Sequence, residues 1–341
     1  MSPGQTPRVS VVLPVYNGAD FIAEAVASVV RQSLTDWELI VVDDGSTDGT
    51  VEQVRQLARA EPRIRLLETT HGGIVPALNA GLAAAAAPLI ARMDADDRMH
   101  ERRLELQAAE LAAKPHLGLV ACQVDFLGDR DRQAGYALHV DWLNTLLTWD
   151  EIRMSRFVEA PFAHPSVMFR REVVAAHGAY RDGDFPEDYE LWLRWMDAGV
   201  AMEKVAAPLL EWRDRAGRLS RMDSRYSPDA FFRTKAPWIA RELARIAAGR
   251  EVWVWGAGRP TRKRARHLEA HGVRIAGYID IDPKKQGNRL KDRPVLAPGD
   301  LPAPGTGFVL GYVASRGARQ LVGTFLVAHG FVAGRDFLMC A

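Results

Sequence analysis

The chain has 341 residues, of which 48% are hydrophobic and 26% charged, and its net charge is +1. These values describe a globular protein with room for two domains, and the balanced charge gives no general argument for binding nucleic acid. Two distant cysteines, Cys122 and Cys340, and an N-terminus without the apolar region of a signal peptide favour a cytoplasmic protein.

Predicted strands and helices alternate through the first half of the sequence. Short runs rich in β-branched residues predict strands, and apolar residues at helical spacing predict helices. The predicted strands are residues 9–15, 37–42, 63–69 and 88–93, and the predicted helices are residues 21–32, 50–61 and an Ala-rich stretch that begins near residue 75. This alternation predicts an α/β domain with a mixed, mostly parallel sheet.

The pattern changes in the second half of the chain. A polar, Arg-rich stretch, residues 213–229, predicts a mobile loop, and a new strand is predicted at residues 251–258. We therefore predict three parts: a first domain of residues 1–230, a linker helix of residues 231–249 and a smaller C-terminal α/β domain of residues 250–341.

Acidic residues follow two of the predicted strands. Asp43 and Asp44 follow the second strand, and Asp94 and Asp96 follow the fourth. Ligands of parallel sheets bind beyond the carboxyl ends of the strands, so these side chains are expected to converge. Asp-x-Asp at such a position suits Mg²⁺ or Mn²⁺ and leaves coordination positions for substrate phosphates. A solvated turn or a helix N-cap is the alternative interpretation.

The ends of the first two strands also suit a nucleoside. A carboxylate at Asp43 or Asp44 can accept hydrogen bonds from a nucleobase N–H or from ribose hydroxyls, whereas Asp48 is expected to be the N-cap of the next helix. Residues 13–18, Leu-Pro-Val-Tyr-Asn-Gly, carry a turn signature. This turn would place the backbone beside the base, although a turn alone is the simpler interpretation.

Four ordered motifs resemble those of the family 2 glycosyltransferases. They are Pro14-Val15-Tyr16-Asn17, Asp43-Asp44-Gly45-Ser46-Thr47-Asp48, Asp94-Ala95-Asp96-Asp97 and Glu187-Asp188. The resemblance spans roughly residues 8–225 and includes residues 164–171 and 186–194, which resemble acceptor-side segments of that family. It implies the GT-A fold, in which one α/β domain binds a nucleotide-sugar donor and a divalent cation.

The resemblance also implies which residues bind the donor. The implied donor-binding residues at the ends of the first two strands are Pro14, Tyr16, Asn17, Asp43 and Asp44. Asp44 would contact uracil or the equivalent base, with Asp43 nearby. Asp94 would reach the ribose or the metal, Asp96 would be the principal ligand of Mn²⁺ or Mg²⁺, and Asp97 would orient its neighbours.

On the acceptor side, Asp188 resembles the family's general base, although an acidic residue in the first turn of a helix has an electrostatic explanation. The other residues expected on the acceptor or diphosphate side are His164, Glu187, Trp192, Arg218 and Arg221. His164 has a structural role as its alternative. Trp192 and Trp195 would either form a sugar-stacking platform or pack in the core. The arginines would close over the diphosphate or belong to a solvated linker.

Taken together, these features predict a metal-dependent, inverting glycosyltransferase. It would move one sugar from a nucleotide-sugar, expected to be a UDP-sugar, to a saccharide or lipid-linked acceptor in surface-polysaccharide or glycoconjugate synthesis, with peripheral association at the inner face of the membrane. Synthases of long polymers commonly carry Gln-x-x-Arg-Trp, but Leu191 stands in place of the Gln. A nucleotidyltransferase and a non-catalytic nucleotide-binding scaffold are the alternatives, and the first lacks its Gly-rich, Lys-bearing phosphate loop here.

Residues 252–282 resemble a dinucleotide-binding βαβ unit. Gly256 and Gly258 match the first two glycines of its fingerprint, Thr261 replaces the third, and Asp280 or Asp282 lies near the acidic position. Because the fingerprint is incomplete, we predict a docking or structural module, with a nucleotide site as the alternative. The basic run at residues 259–266 is expected to be a solvated helix face rather than a site for phosphate or an anionic membrane.

Overall fold

A computed structural model of the protein describes residues 6–215, 217–315 and 317–341. Its contacts divide the chain into two compact units. The first unit contains residues 1–152, 161–183 and 194–223, and the second contains residues 153–160, 184–193 and 224–341. This division differs from the predicted boundaries, because two internal segments group with the C-terminal part and the predicted linker helix lies within the second unit.

The first unit is built on a mixed eight-stranded sheet. Its strands are β1 (Val9–Val15), β2 (Trp37–Asp43), β3 (Ile64–Glu68), β4 (Leu89–Arg92), β5 (Arg98–Met99), β6 (Leu117–Leu127), β7 (Met168–Arg170) and β8 (Ala201–Arg213). They lie in the order β3-β2-β1-β4-β7-β6-β8-β5. The run from β3 to β4 is parallel, so the carboxyl ends of these four strands share one edge of the sheet, and β7 is antiparallel to its neighbours.

Helices connect these strands in the predicted alternation. The helices up to residue 223 are α1 (Ile22–Val30), α2 (Thr50–Ala60), α3 (Ile74–Ala84), α4 (Arg103–Ala113), α5 (Ala134–Thr145), α6 (Trp149–Ser155), α7 (Arg171–His177), α8 (Glu187–Asp197) and α9 (Leu219–Met222). Short 3₁₀ turns lie at His164–Ser166 and Ser224–Tyr226. Within the described parts of the chain, no helix has both the length and the apolar character needed to cross a bilayer.

The first two strands are buried on both faces. Every residue of β1 and β2 is buried, including Val11, Leu13, Leu39 and Val41, which are 0% exposed. Strands covered on both sides read as continuous apolar runs, which is why the sequence predicts them well. Each buried Val or Leu contributes about 1.5–3 kcal/mol to folding, so the strand ends that carry Asp43 and the Tyr16 turn are held rigidly.

The second unit contains a smaller, mostly parallel sheet. Its strands are β9 (Glu251–Trp255), β10 (Ile275–Ile279), β11 (Arg289–Leu290), β12 (Arg293–Leu296), β13 (Gly307–Gly311) and β14 (Phe337–Met339), in the order β11-β12-β10-β9-β13-β14. Its further helices are α10 (Pro228–Ile246), α11 (Arg259–Glu269) and α12 (Ala318–Ala328), with a 3₁₀ turn at Pro298–Asp300. Ser227 caps α10 by accepting a hydrogen bond from the Ala230 N–H, so this helix begins before its predicted start.

Lys235 is a fully buried cation in α10. Its ammonium donates to the carbonyl oxygens of Phe157 at 2.8 Å, Val158 at 3.2 Å and Cys340 at 2.7 Å. Burial lowers the pKa of Lys235 to about 8 because desolvation disfavours the charged form. Burial also raises the pKa of the Cys340 thiol to about 12, so the thiol stays protonated over the range in which Lys235 titrates.

We expect the unfolding free energy of the wild type to rise relative to that of Lys235→Met as the pH increases from about 8 to 10.5. In this window the unfolded chain still binds the lysine proton and the folded chain has released it, so stability grows with pH, and below about pH 8 the cost of the buried charge is complete. At about 1.4 kcal/mol per unit, the difference amounts to as much as about 3 kcal/mol. Urea unfolding of both proteins across the window measures it, and a constant difference would contradict the prediction.

Candidate functional site

The loops that follow β1 and β2 are hydrogen-bonded to each other. Asn17 adopts a positive φ of 49°, a conformation that Asn tolerates better than most residues. Its N–H donates to Ser46 Oγ at 2.8 Å, and its Oδ1 accepts the Thr47 N–H at 2.8 Å. The Gly18 N–H donates to Thr50 Oγ1 at 2.9 Å. The predicted turn after β1 is therefore fixed to the loop after β2, and Asn17 is a structural link between them.

Asp48 strengthens the same link, but it is not the N-cap that we predicted. Gly49 occupies the cap position with a φ of 93°. The Asp48 carboxylate accepts the Thr50 N–H at 3.1 Å and the Ala19 N–H at 3.0 Å. Burial opposes ionisation, but a hydrogen bond from the Thr50 hydroxyl and these two backbone hydrogen bonds outweigh it and lower the pKa of Asp48. Asp48 thus joins the two loops from the position before the cap.

Asp43 and Asp44, at the end of β2, have different surroundings. The two oxygens of Asp44 accept the N–H groups of Gly72 at 2.8 Å and Gly73 at 2.9 Å. One oxygen of Asp43 accepts two N–H groups of the turn that follows it, and its Oδ1 is buried with no hydrogen-bond partner among the described residues. Asp44 therefore holds the loop before α3, whereas Asp43 retains an unused acceptor.

An exposed aromatic pair lies at this edge of the sheet. Tyr16 is 47% exposed, and its ring stacks on His71 with centroids 4.2 Å apart. His71 Nδ1 lies 2.9 Å from an oxygen of Asp44. Gly45, with a φ of 74°, has no room for a side chain because a Cβ would lie 2.9 Å from the backbone nitrogen of His71. Pro14, predicted to bind the donor, is buried within β1 instead.

We expect Asp44→Ala to reduce the unfolding free energy by about 2 kcal/mol, since the N–H groups of Gly72 and Gly73 would lose a charged acceptor. The measurement is urea unfolding, with Asp20→Ala as a matched control, because Asp20 is exposed and close in sequence to the same loops. Unchanged stability with loss of nucleotide affinity would show that Asp44 acts on the base, as the family resemblance implies, and not on the loop.

Three carboxylates after β4 converge, as the Asp-x-Asp-Asp motif predicts. Asp94, Asp96 and Asp97 each place an oxygen within 4.8 Å of the other two. Burial, followed by the charges of Asp94 and Asp96, raises the pKa of Asp97 well above its ordinary value. The Oδ2 of Asp97 is buried and has no hydrogen-bond partner in the described chain. Hard oxygen ligands, concentrated negative charge and an unpaired oxygen fit Mg²⁺ or Mn²⁺.

Arginine side chains also surround this cluster. Arg92 forms an ion pair with Asp94, and Arg215 Nε lies 2.7 Å from an oxygen of Asp96. The backbone N–H of Arg213 donates to the third carboxylate at 2.8 Å. The stretch that we predicted as a mobile loop, residues 213–229, therefore begins with contacts to the acidic cluster and continues into short helices.

Arg218 and Arg221 have separate roles in that segment. The Arg218 guanidinium lies over the rings of Trp212 at 4.7 Å and Tyr136 at 5.3 Å, and its positive charge partly offsets the rise in the pKa of Asp97. Arg221 forms an ion pair with a buried carboxylate, Asp214. Arg218 thus faces the acidic cluster, while Arg221 fixes the path of the chain.

His164 is a buried residue with a neutral imidazole. Its Nε2 lies 2.7 Å from the hydroxyl oxygen of Tyr180. Burial, followed by the charge of Arg92, lowers the pKa of His164 well below its ordinary value. These surroundings fit the structural alternative for His164 better than a contact with the acceptor or the diphosphate.

The acidic pair at the start of α8 differs in exposure. Glu187 is 3% exposed and accepts a hydrogen bond from the Tyr226 hydroxyl at 2.6 Å, whereas Asp188 is only partly buried. Trp192 and Trp195 are both 0% exposed. Neither indole presents a face to a sugar, so the stacking platform that we considered is wrong for both rings and the core-packing alternative holds.

Two site features escaped the sequence analysis. His71 lies between β3 and α3, and the only local signal is the pair of glycines that follows it. Arg92 lies inside a buried strand, where a charged residue is rare unless it is paired. That position, two residues before Asp94 and on the same side of the strand, is a signal that sequence reasoning could have used.

Comparisons with known proteins identify the family of this chain. The model of the family described as Glycosyl transferase family 2 matches residues 10–178. EpsE of Bacillus subtilis, whose name describes a glycosyltransferase, is 30% identical over 241 residues, which cover 65% of this chain and 79% of EpsE. The hyaluronan synthase of Pasteurella multocida is 30% identical over 196 residues, which cover 57% of this chain and 19% of that synthase.

A solved structure shares the fold. The crystal structure of residues 1–349 of S. aureus TarS in complex with UDP-GlcNAc aligns with a TM-score of 0.52 and 18% identity, covering 77% of this chain and 71% of TarS 1–349. This likeness confirms the mixed α/β architecture predicted as GT-A. Because the match to EpsE spans most of EpsE and the family model matches the residues that carry both acidic motifs, the chain belongs to glycosyltransferase family 2 and is a glycosyltransferase.

Proposed function

We propose that this glycosyltransferase is metal-dependent and inverting, and that it moves one sugar from a nucleotide-sugar to a saccharide or lipid-linked acceptor. The observation that carries the proposal is the convergence of Asp94, Asp96 and Asp97 at the sheet edge that also carries Asp43 and Tyr16. The names of the relatives, which include a hyaluronan synthase and an O-antigen biosynthesis protein, support a role in polysaccharide or glycoconjugate synthesis.

The nucleoside would bind beside the ends of β1 and β2. Tyr16 offers an exposed ring, and Asp43 has an oxygen without a hydrogen-bond partner among the described residues. That oxygen suits a nucleobase N–H or a ribose hydroxyl. We assign this contact to Asp43 because both oxygens of Asp44 already accept backbone N–H groups, whereas Oδ1 of Asp43 accepts none from the described residues. TarS binds UDP-GlcNAc, which supports a UDP-sugar as the donor.

The diphosphate would lie against the acidic cluster. Asp96, with Asp94 and Asp97, would hold Mg²⁺ or Mn²⁺, which when bound stabilises the negative charge that grows on the leaving nucleoside diphosphate. Arg215 and Arg218 would donate charge-assisted hydrogen bonds to phosphate oxygens. Their segment, which lies over the cluster, would also exclude water from the donor.

Asp188 would act as the general base. An acceptor hydroxyl is a poor nucleophile, and a carboxylate within hydrogen-bond reach can take its proton during attack. Asp188 is partly exposed, whereas Glu187 is buried against Tyr226, so Asp188 is the better candidate of the pair. One base and no covalent sugar–enzyme intermediate correspond to a single displacement, in which the new bond forms opposite the bond to the diphosphate.

The stereochemistry of the released sugar tests this proposal without a known acceptor. In UDP-GlcNAc the sugar is α-linked, so slow hydrolysis by the protein with Mn²⁺ should release the β-anomer of GlcNAc first. Proton NMR follows the anomeric signal at early times, before mutarotation. Release of the α-anomer would exclude the single displacement. Hydrolysis of a GDP- or dTDP-sugar, with UDP-GlcNAc left intact, would correct the assignment of the donor.

A further inference from the structure

The second unit contains a cavity whose lining includes none of the residues that we assign to the donor, the metal or the acceptor. Its volume is about 790 Å³, which is within the range of small-molecule sites. The cavity lies at the carboxyl ends of β9, β10 and β13, and its lining at these ends is Trp255, Gly256, Asp280, Ile281, Val313 and Ala314. Since β10 and β13 lie on opposite sides of β9, the strand order reverses here, and such a crevice is where open parallel sheets bind ligands.

The cavity carries a positive charge that no described carboxylate neutralises. Arg264 of α11 lines it and lies 4.5 Å over the ring of Phe232, and it forms no ion pair with any described residue. The acidic group at the cavity is already satisfied, because Asp280 accepts the Ala257 N–H at 2.8 Å and the Lys285 ammonium at 3.2 Å. Because Arg264 has no carboxylate partner among the described residues, its guanidinium can bind a phosphate group.

The start of α11 adds to this preference. Gly258 is the N-cap of the 11-residue helix and supplies no side-chain hydrogen bond. Pro260 in the first turn has no N–H, so the N–H groups of Arg259 and Thr261, together with the helix dipole, favour an anion at this terminus. Gly256, by contrast, is required by the backbone: it has a φ of 113°, and a Cβ there would lie 2.8 Å from a methyl group of Val313.

Much of the remaining lining is apolar. Ile281 and Leu321 line the cavity and are 74% and 75% exposed. Deeper in, Phe325 packs edge-on against Trp255 with centroids 5.3 Å apart. Large apolar side chains that remain exposed beside a cavity indicate a binding surface. A flat, weakly polar ring would cover Ile281 and Leu321, while a phosphate would meet Arg264.

We propose that the second unit binds a nucleoside diphosphate in this cavity, with the phosphates at Arg264 and the start of α11 and the base against Ile281 and Leu321. The concave shape and the unpaired arginine favour this ligand over the docking or structural role predicted from the incomplete fingerprint. Arg264 supplies a positive charge for the phosphates, so binding there needs neither a divalent cation nor the Asp94–Asp97 cluster.

The test is equilibrium binding of UDP, GDP and ADP to the full-length protein in excess EDTA. We expect at least one of the three to bind in EDTA, and to bind equally well to Asp96→Asn. Arg264→Ala should weaken this binding by about tenfold or more, because a charge-assisted contact is lost. Arg266→Ala should leave it unchanged, since Arg266 is exposed on the same helix, carries the same charge and does not line the cavity.

A second variant blocks the cavity by shape alone. The backbone of Gly258 suits any residue, with a φ of −64°, and a Cβ there would meet only Pro260, at 3.8 Å. Gly258→Phe should therefore fold with an unchanged melting temperature and lose the EDTA-resistant binding. No binding of the three nucleotides in EDTA would overturn the proposal, as would binding that Arg264→Ala leaves intact. Either result would leave metal-dependent donor binding in the first unit unaffected.

Discussion

Asp188→Asn is expected to lower kcat for sugar transfer by about 10²–10⁴-fold, the usual contribution of a general base. The amide has the size of the carboxylate but cannot accept the proton of the acceptor hydroxyl. Because Asp188 is not assigned to donor binding, the KM for the nucleotide-sugar should stay within about twofold of the wild-type value. Steady-state kinetics with the donor identified by the hydrolysis assay measures both constants.

The alternative explanation for Asp188 makes the opposite prediction. An acidic residue in the first turn of α8 would interact with the helix dipole, so its loss would cost about 0.3–1 kcal/mol of stability and leave turnover unchanged. Asp184→Asn is the matched control, because Asp184 is exposed and only four positions away in the chain. Unchanged kcat in Asp188→Asn, with lowered stability, would remove Asp188 from the mechanism.

Asp96→Asn is expected to weaken metal-dependent nucleotide binding by more than about 100-fold. Changes to groups that only support metal ligands cost 10–100-fold in metal affinity, so the loss of a ligand should cost at least as much. The substitution also removes the partner of Arg215, 2.7 Å away, but that pair is partly exposed and adds little to stability. The folded protein should therefore persist, and Asp20→Asn should retain the wild-type affinity.

Much of the fold could be predicted from local patterns. β1 and β2 are mostly apolar because they are covered on both faces, with Ser10 and Glu38 as exceptions, and the acidic residues at the ends of β2 and β4 stand out against them. Their position at one edge of the sheet follows from the parallel arrangement of the strands. The family resemblance then added roles that no spacing could supply, such as that of Asp188.

Roles that depend on residues distant in the chain could not be predicted from the sequence. Asp44 holds a loop because the N–H groups of Gly72 and Gly73, which lie beyond α2 and β3, meet its carboxylate. Trp192 is in the core because other elements cover its face of the helix. The sequence pattern around a tryptophan at helical spacing does not show whether that face is covered or exposed. The partners of the arginines after β8 depend on tertiary packing for the same reason.

The most direct test of the central account is the affinity for UDP with Mn²⁺ and with EDTA, compared among the wild type, Asp96→Asn and Gly258→Phe. We predict that the wild type shows a metal-dependent component of UDP affinity, that Asp96→Asn loses only this component, and that Gly258→Phe keeps it. A wild-type affinity for UDP that is the same in Mn²⁺ and in EDTA, or a metal-dependent component that survives in Asp96→Asn, would contradict the claim that these aspartates hold a cation for the diphosphate.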